Sequence, residues 1–471
     1  MIRCLRNNET NNETMQRNTN MTTKPIYSEL VKYMGLEKLP KDLCEAYELY
    51  VPDESRVLLP HDIYEELLAP YELSKEQKGY LDEALAAIEA DEKVLFFSRF
   101  FVWDMCSMRN KYDIDRYTEL KPGCLGKYNE AYAFLVMLSC VPVAEKDMIA
   151  RGIPRSYYED IPHRMLRLQL SRYKKEGRID VEDMPWKMNF YTLTIFLLDR
   201  FLFIPYAHGE RFRLYRSVKT GKVIGICEAG CTYDTEGQLL SWGFPDEEEN
   251  EPEEPDIDDI SDTGYFYSAR PAKEEGTFKT TLTEDEEHVT GYYMNPVGYT
   301  ENKEITLDKN EYKQVLFDGD YMIALHIPEG EGYTPERLEN SMRLALDFFK
   351  KYYPELDMKG FWSSSWLYDE RLRFILSDDR NIPRVQDRMF RYSDGEDGSM
   401  LYVHLYKDMK NKLSEAECTS SLQKGARECL RKGIRFMTTG MMILTDEALS
   451  GKVYYTQEDK EAYKKMSQSW S

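Results

Sequence analysis

Apolar residues recur at spacings of three and four along the first two hundred positions of this chain. In "EQKGYLDEALAAIEADEKVLFFSRFFVWDMCSM" and "NEAYAFLVMLSCVPVAEKDMIARG" that spacing puts them on one side of an α-helix. "IPRSYYEDIPHRMLRLQLSRYKKEG" extends the pattern from an N-cap-like Ser156 to a stop at Lys174, Lys175 and Gly177. The expectation is one all-helical domain over 24–205. Within it, "FYTLTIFLLDRFLFIP" (190–205) is interrupted by Asp199 and Arg200 and is too short to span a bilayer, so it reads as a buried helix or a helix-strand corner.

After Phe201 the period changes. "ERFRLYRSVKTGKVIGICEAGC" alternates polar and apolar residues around Lys219-Thr220-Gly221, which predicts a hairpin of Phe212–Ser217 with Lys222–Cys227. Further on come a buried strand "YMIALHIP", a helix over 335–353, a second buried strand "MKGFWSSSWL" (358–367) and a short helix "DERLRFIL" (369–376). Two strand-like runs follow, "RVQDRMFRY" (384–392) and "SMLYVHLYK" (399–407), then a helix over 418–433 and a hairpin-like end, "IRFMTTGMMIL". This succession predicts a mixed sheet with helices packed on it. The fold class expected is therefore α+β: a disordered tail (1–23), a helical N-terminal domain (24–205), and a mixed α/β sheet domain (206–471) with an acidic loop insertion at 246–262.

The helix over 335–353 carries every local signal of its class. Thr334 suits the N-cap and Pro335 the first helical position, while Leu338, Met342, Ala345, Leu346, Phe349 and Tyr353 form one apolar stripe. Lys350 and Lys351 complement the C-terminal dipole, and Pro354 ends the helix. Gly330 and Gly332 let the chain turn tightly from the strand into it, so that amides of the first turn face outward, a geometry that binds phosphate. Many glycine-bearing turns bind nothing, and Glu329, Glu331 and Glu336 repel an anion unless they point away.

Composition narrows the function classes. A net charge of −22 argues against nucleic acid, and half of it comes from "DEEENEPEEPDIDDISD" (246–262), which holds eleven acids and no base and reads as a solvated linker. A hydrophobic fraction of 42% excludes disorder as the main state. Nine scattered cysteines suit reduced thiols in a cytoplasm, and the N-terminus lacks the apolar core of a secretory signal. Cys227 and Cys231 lack a second Cys/His pair, so strand and turn positions, not a metal site, are expected of them. Walker, dinucleotide-fingerprint and His-Glu-x-x-His patterns are absent from the sequence.

The segments "HIPEGEGYTPERLENSMRLALDFFKKYYPEL", "FWSSSWLYDERLRFIL", "NIPRVQDRMFRY" and "TSSLQKGARECLRKGIRFMTTG" resemble the C-terminal domain of a bacterial two-domain family of GNAT-like acyltransferases. "GIPRSYYEDIPHRMLRLQLSRYKKEGRIDVEDMPWKMNFYTLTIFLLDRFLFIP" resembles its helical partner, so that the resemblance covers roughly 90–445. It implies an acyl-CoA cofactor, no metal, no membrane span, and transfer of the acyl group to an amine acceptor. The usual turn pattern of Gln or Arg, two residues, Gly, one residue, Gly or Ala is absent, and "EGEGYT" stands in its place. An inactive GNAT-like module binding a small molecule or a protein is the alternative.

Carried over position by position, the resemblance implies that the amides of Gly330, Glu331, Gly332, Tyr333 and Thr334 meet the pyrophosphate, and that the backbone at Leu325 and Ile327 pairs with the pantetheine. Acyl transfer to an amine also needs a base, an oxyanion donor and an acid for the leaving thiolate. His326 at the strand end is the candidate base or polariser, Tyr368 the candidate acid, and Ser365, with Ser363 and Ser364, stands opposite the acyl position. Trp362 and Trp366 are expected to pack against helices, and Arg371 and Arg373 to be solvated.

Overall fold

The computed structural model describes residues 24–36, 39–40, 42–52, 55–107, 117, 120–179, 181–244, 276–395, 399–406, 417–431, 434 and 436–467. The expected tail (1–23) and acidic tract (246–262) lie outside the described residues.

Among the described residues eight α-helices precede the first strand: α1 (Tyr27–Met34), α2 (Leu43–Leu49), α3 (His61–Leu68), α4 (Lys75–Ala90), α5 (Glu92–Ser107), α6 (Asn129–Ala150), α7 (Ile161–Glu176) and α8 (Met184–Tyr191). Local chemistry sets their ends. Ser74 and Gln77 form a reciprocal capping box at the start of α4. Gly177, at φ +69°, closes α7 where a side chain would be strained. α6 is buried almost all round and forms the centre of this layer, with Ser98 of α5 and Tyr132 satisfying each other's hydroxyls at 2.8 Å.

The helical run ends earlier than expected. α8 stops at Tyr191, and the chain enters a sheet through β1 (Phe196–Leu198) and β2 (Phe201–Ala207). The expected boundary at 205 thus falls inside a strand. Aromatic and β-branched residues favour the extended form here, Thr192 bonds back to Met188 to close α8, and Asp199 takes the positive φ of a two-residue turn.

β2 belongs to a six-stranded sheet in the order β1-β2-β12-β13-β15-β14, where β12 is Tyr321–His326, β13 Gly360–Ser365, β14 Phe390–Ser393 and β15 Thr439–Leu444. Only β12 and β13 run parallel, linked by the helix Pro335–Tyr352, here called the central helix. A second sheet holds the expected hairpin, β3 (Phe212–Ser217) with β4 (Val223–Cys227), beside β8 (Leu282–Glu284), β9 (His288–Asn295), β10 (Tyr299–Asp308) and β11 (Tyr312–Leu316), while β5 (Thr232–Tyr233), β6 (Leu239–Ser241) and β7 (Phe278–Lys279) form a small third sheet. It lies on the face of the first sheet away from the central helix: Phe212 packs 4.7 Å from the Tyr392 ring, and Gly225 leaves room for Phe390.

Three expectations past β13 need correction. "RVQDRMFRY" is split between a helix (Asn381–Gln386) and β14, and "SMLYVHLYK" is a helix (Ser399–Tyr406) rather than a strand. Leu401 and Leu405, one helical turn apart, pack into a small core with Trp366, Leu372, Ala426 and Phe436. The terminal "hairpin" is the single strand β15, inserted between β13 and β14. Cys227 and Cys231 are both buried, and burial pushes the Cys227 thiol up to about 12.

Candidate functional site

The parallel ladder between β12 and β13 is short. Both strands have six residues, yet only Met322, Ile323 and Ala324 pair with Gly360, Phe361 and Trp362. On their other sides both strands are paired along their whole length, β12 with β2 and β13 with β15. Beyond Ala324 and Trp362 the two therefore diverge, leaving a wedge between Leu325–His326 and Ser363–Ser365. Backbone edges facing a gap seek hydrogen bonds, and an extended amide-bearing chain supplies them.

At the open end of the wedge the chain turns through 328–334 into the central helix. Gly330 and Gly332 both take positive φ, +123° and +95°. Thr334 Oγ1 accepts from the Arg337 amide at 3.2 Å as the N-cap, and its own amide donates to the Gly332 carbonyl. The amides of Gly330, Glu331, Gly332 and Tyr333 donate to no described group. Such a run of free amides before a helix N-terminus is an anion cradle.

Arg200 holds this turn from beneath. Its guanidinium donates to the carbonyls of Glu331 (2.7 Å), Pro328 (2.6 Å) and Gly330 (3.0 Å). With three carbonyls drawn toward Arg200, the amides between them face away from it. Arg337, in the first helical turn, adds a second cation and pairs with Asp199 at 2.7 Å. Burial would raise the Asp199 carboxyl, but bonds from Asn340, Arg337 and Ser341 hold it below the usual range. The three glutamates leave the cradle clear: Glu329 and Glu331 are exposed, and Glu336 pairs with Arg384 at 2.7 Å. The sequence reading treated Arg200 only as an interruption of an apolar run. Its place 128–131 residues from the carbonyls it holds left no local signal.

Strand alternation sorts the expected chemical residues between the two faces. His326 lies with Ala324, Trp362 and Ser364 on one face; Leu325 lies with Ser363 and Ser365 on the other, under the central helix. His326 packs 4.7 Å from the indole of Trp186, which α8 brings against the wedge. Burial lowers its pKa from 6.5 to about 4, so the ring is neutral near pH 7.

On the helix face Tyr368 is fully buried and donates to Ser363 Oγ at 2.9 Å. Burial raises its pKa, so its proton is held at neutral pH. Ser365 Oγ accepts from the Leu367 amide at 3.2 Å and caps the short turn Trp366–Tyr368. The fully buried Arg391 donates to the Tyr368 carbonyl at 3.0 Å and pairs with Glu370 at 2.7 Å, fixing the turn from the other side. Arg371 and Arg373 are not solvated: Arg371 is buried beside Asp369, and Arg373 pairs with Glu370, Asp378 and Asp387. Ile327 packs at the edge of the main core.

The opposite face carries a polar network that sequence reasoning missed. Trp362 stacks on Tyr206 (4.5 Å) and donates to the Tyr392 hydroxyl (2.7 Å), rather than packing on a helix. Glu210 accepts from Tyr206 (2.7 Å), His208 (2.6 Å) and Tyr392 (3.4 Å). Burial would raise the Glu210 carboxyl, but the bond and charge of His208 and the bond from Tyr206 together hold it below the usual range. Ser364 donates to Asp394 on the same face. Gly440 makes this packing possible, because a Cβ there would lie 2.2 Å from the Tyr392 ring. Among the described residues no three His, Cys, Asp or Glu side chains converge as a metal site, and no helix is long and apolar enough to cross a membrane.

A sheet splayed between two parallel strands, with an anion cradle before the helix that joins them, is the GNAT architecture. Residues 267–442 match the family described as "GNAT-like C-terminal domain". The chain is similar in fold to solved acyltransferases over nearly nine-tenths of its length. One, in complex with octanoyl-CoA, is 16% identical with a TM-score of 0.51 over 88% of this chain and 98% of its own. Another, in complex with decanoyl-CoA and teicoplanin, is 16% identical with a TM-score of 0.50 over 89% of this chain and 99% of its own. No curated protein matches the sequence.

Proposed function

We propose that this protein is an acyl-CoA-dependent N-acyltransferase of GNAT type, acting in the cytoplasm on an amine acceptor. The observation that carries the reading is the wedge between β12 and β13, opening onto a turn whose four free amides face away from Arg200. The amides of Gly330 to Tyr333 and the nearby cations would hold the pyrophosphate, the Thr334 amide being spent on the Gly332 carbonyl, and the free edge at Leu325 to Ile327 would pair with the pantetheine. In this reading the thioester would lie at the narrowing of the wedge, within reach of both faces.

In this scheme His326, neutral near pH 7, takes the proton of the attacking amine from the face lined by Trp186, Trp362 and Ser364. Tyr368, whose proton lies on Ser363 Oγ, belongs to the hydroxyl chain that serves the departing thiolate on the helix face, and Ser365 holds the turn that positions it. The acceptor enters between the helical layer and the second sheet.

The test is calorimetric titration with acetyl-CoA, octanoyl-CoA and decanoyl-CoA, with Gly332→Glu and Gly332→Pro as controls. Micromolar binding that both substitutions abolish is the expected result. Absence of binding to every acyl-CoA at millimolar concentration would overturn the transferase reading and leave the GNAT-like scaffold as a binding module for another ligand.

A further inference from the structure

One hydroxyl in the wedge has no work in the ligand-free fold. Tyr333 lies between Gly332, at φ +95°, and the N-cap Thr334, so its backbone is fixed on both sides. Its ring packs edge-on against Phe201 of β2, 6.1 Å between centroids. Its hydroxyl is buried, with no hydrogen-bond partner among the described residues. Burial, and then the neighbouring Tyr368 hydroxyl, push its pKa up. The ring therefore reaches from the β2 side of the sheet toward the end of β13, across the helix-facing side of the wedge.

A buried, unsatisfied hydroxyl is costly to keep, and a phenylalanine of the same shape avoids that cost. Tyr368 cannot stand in for it without a rearrangement, because its proton is committed to Ser363 Oγ at 2.9 Å. Of the two phenols, the uncommitted donor is Tyr333.

Resting on the acyl-transfer reading above, we propose that the Tyr333 hydroxyl is the proton donor to the departing thiolate, with Tyr368 and Ser363 forming the chain of hydroxyls behind it. As the amine nitrogen bonds to the thioester carbon, the C–S bond breaks and its electron pair goes to sulfur, which takes the Tyr333 proton. The proton lost by the amine, taken up by His326, is released to solvent, and the Tyr333 oxygen is reprotonated through the Tyr368–Ser363 chain, which takes a proton back from solvent. The products are the amide and free CoA thiol, and no other reactant is needed. Tyr333 thus has a second role beside the backbone amide it contributes to the cradle.

The experiment compares the full chain with Tyr333→Phe, Tyr368→Phe and the double variant. The probes are decanoyl-CoA as donor and hydroxylamine as a small nucleophile, with thiol release followed spectrophotometrically, decanoyl-CoA affinity measured by calorimetry, and unfolding by urea. Tyr333→Phe is expected to unfold at the same or higher urea concentration, to bind decanoyl-CoA within about 3-fold of wild type, and to lose at least 10-fold in kcat. The double variant should be little slower than Tyr333→Phe alone, because groups acting in one chain are not additive. A Tyr333→Phe enzyme with wild-type kcat overturns the assignment and leaves the transferase reading standing. Wild type that binds decanoyl-CoA but releases no thiol overturns both, and wild type that binds no acyl-CoA points instead to failure of the cofactor reading beneath them.

Discussion

Arg200 offers the sharpest test of how this fold builds an anion site. Its guanidinium makes three bonds to carbonyls at 2.6–3.0 Å, and those bonds orient the cradle. Hydrogen bonds to a charged group contribute about 1.5–3 kcal/mol each when well shielded. Two of the three lie in exposed settings, where solvent competes, so the three together are discounted below the sum of shielded bonds, to about 2–3 kcal/mol. In the Arg200→Ala variant an incoming anion would have to order the turn itself. At 1.4 kcal/mol per factor of ten, that predicts a loss in acyl-CoA affinity of about 30- to 100-fold. Arg200→Lys keeps the charge but cannot present a planar fork to three carbonyls, so it should recover less than half of the loss in free energy. The assay is calorimetry with decanoyl-CoA for the three proteins, alongside urea unfolding, whose midpoint should move little because the turn lies at the rim of the core. Unchanged affinity in Arg200→Ala would refute the argument that orientation of the turn comes from this side chain, and full rescue by lysine would show that only its charge matters.

Three further outcomes are expected. His326 has a folded pKa of about 4 against 6.5 unfolded, so the unfolded chain takes up a proton first as pH falls; stability should be intact above pH 6.5 and decline toward pH 4, by about 2 kcal/mol once the partial exposure of the ring is allowed for, and His326→Gln should flatten urea-unfolding stability plotted against pH over that range. Glu210→Ala leaves His208 and two tyrosine hydroxyls without their common acceptor and should cost about 3 kcal/mol, read from the urea midpoint, whereas a loss under about 1 kcal/mol would mean that the network carries little of the fold. Gly440→Val drives a side chain into the Tyr392 ring and should destabilise by about 1–3 kcal/mol, with loss of the near-ultraviolet signal of Trp362, which that ring's hydroxyl holds.

The sequence by itself determined the elements whose residues signal locally. The central helix lies over Pro335–Tyr352 with Thr334 as its cap, as its stripe and flanking signals required, and the hairpin of β3 and β4 formed where alternation and Lys219-Thr220-Gly221 placed it. The glycines of 330 and 332 read as an exposed cradle because a positive φ is a property of the residue itself. Tertiary structure decided what depended on partners far along the chain. Short apolar runs such as 399–407 carry no length or period that separates strand from helix, and the core around Trp366 settled that one as a helix. The ends of the helical layer and of the sheet are interleaved because β2 needed β12, more than a hundred residues on, as its partner. The same distance hid Arg200 beneath the turn, Glu210 among its hydroxyl donors and the early end of the β12–β13 ladder. Register and splay follow from how whole strands pack, and no window of sequence contains both sides of that contact.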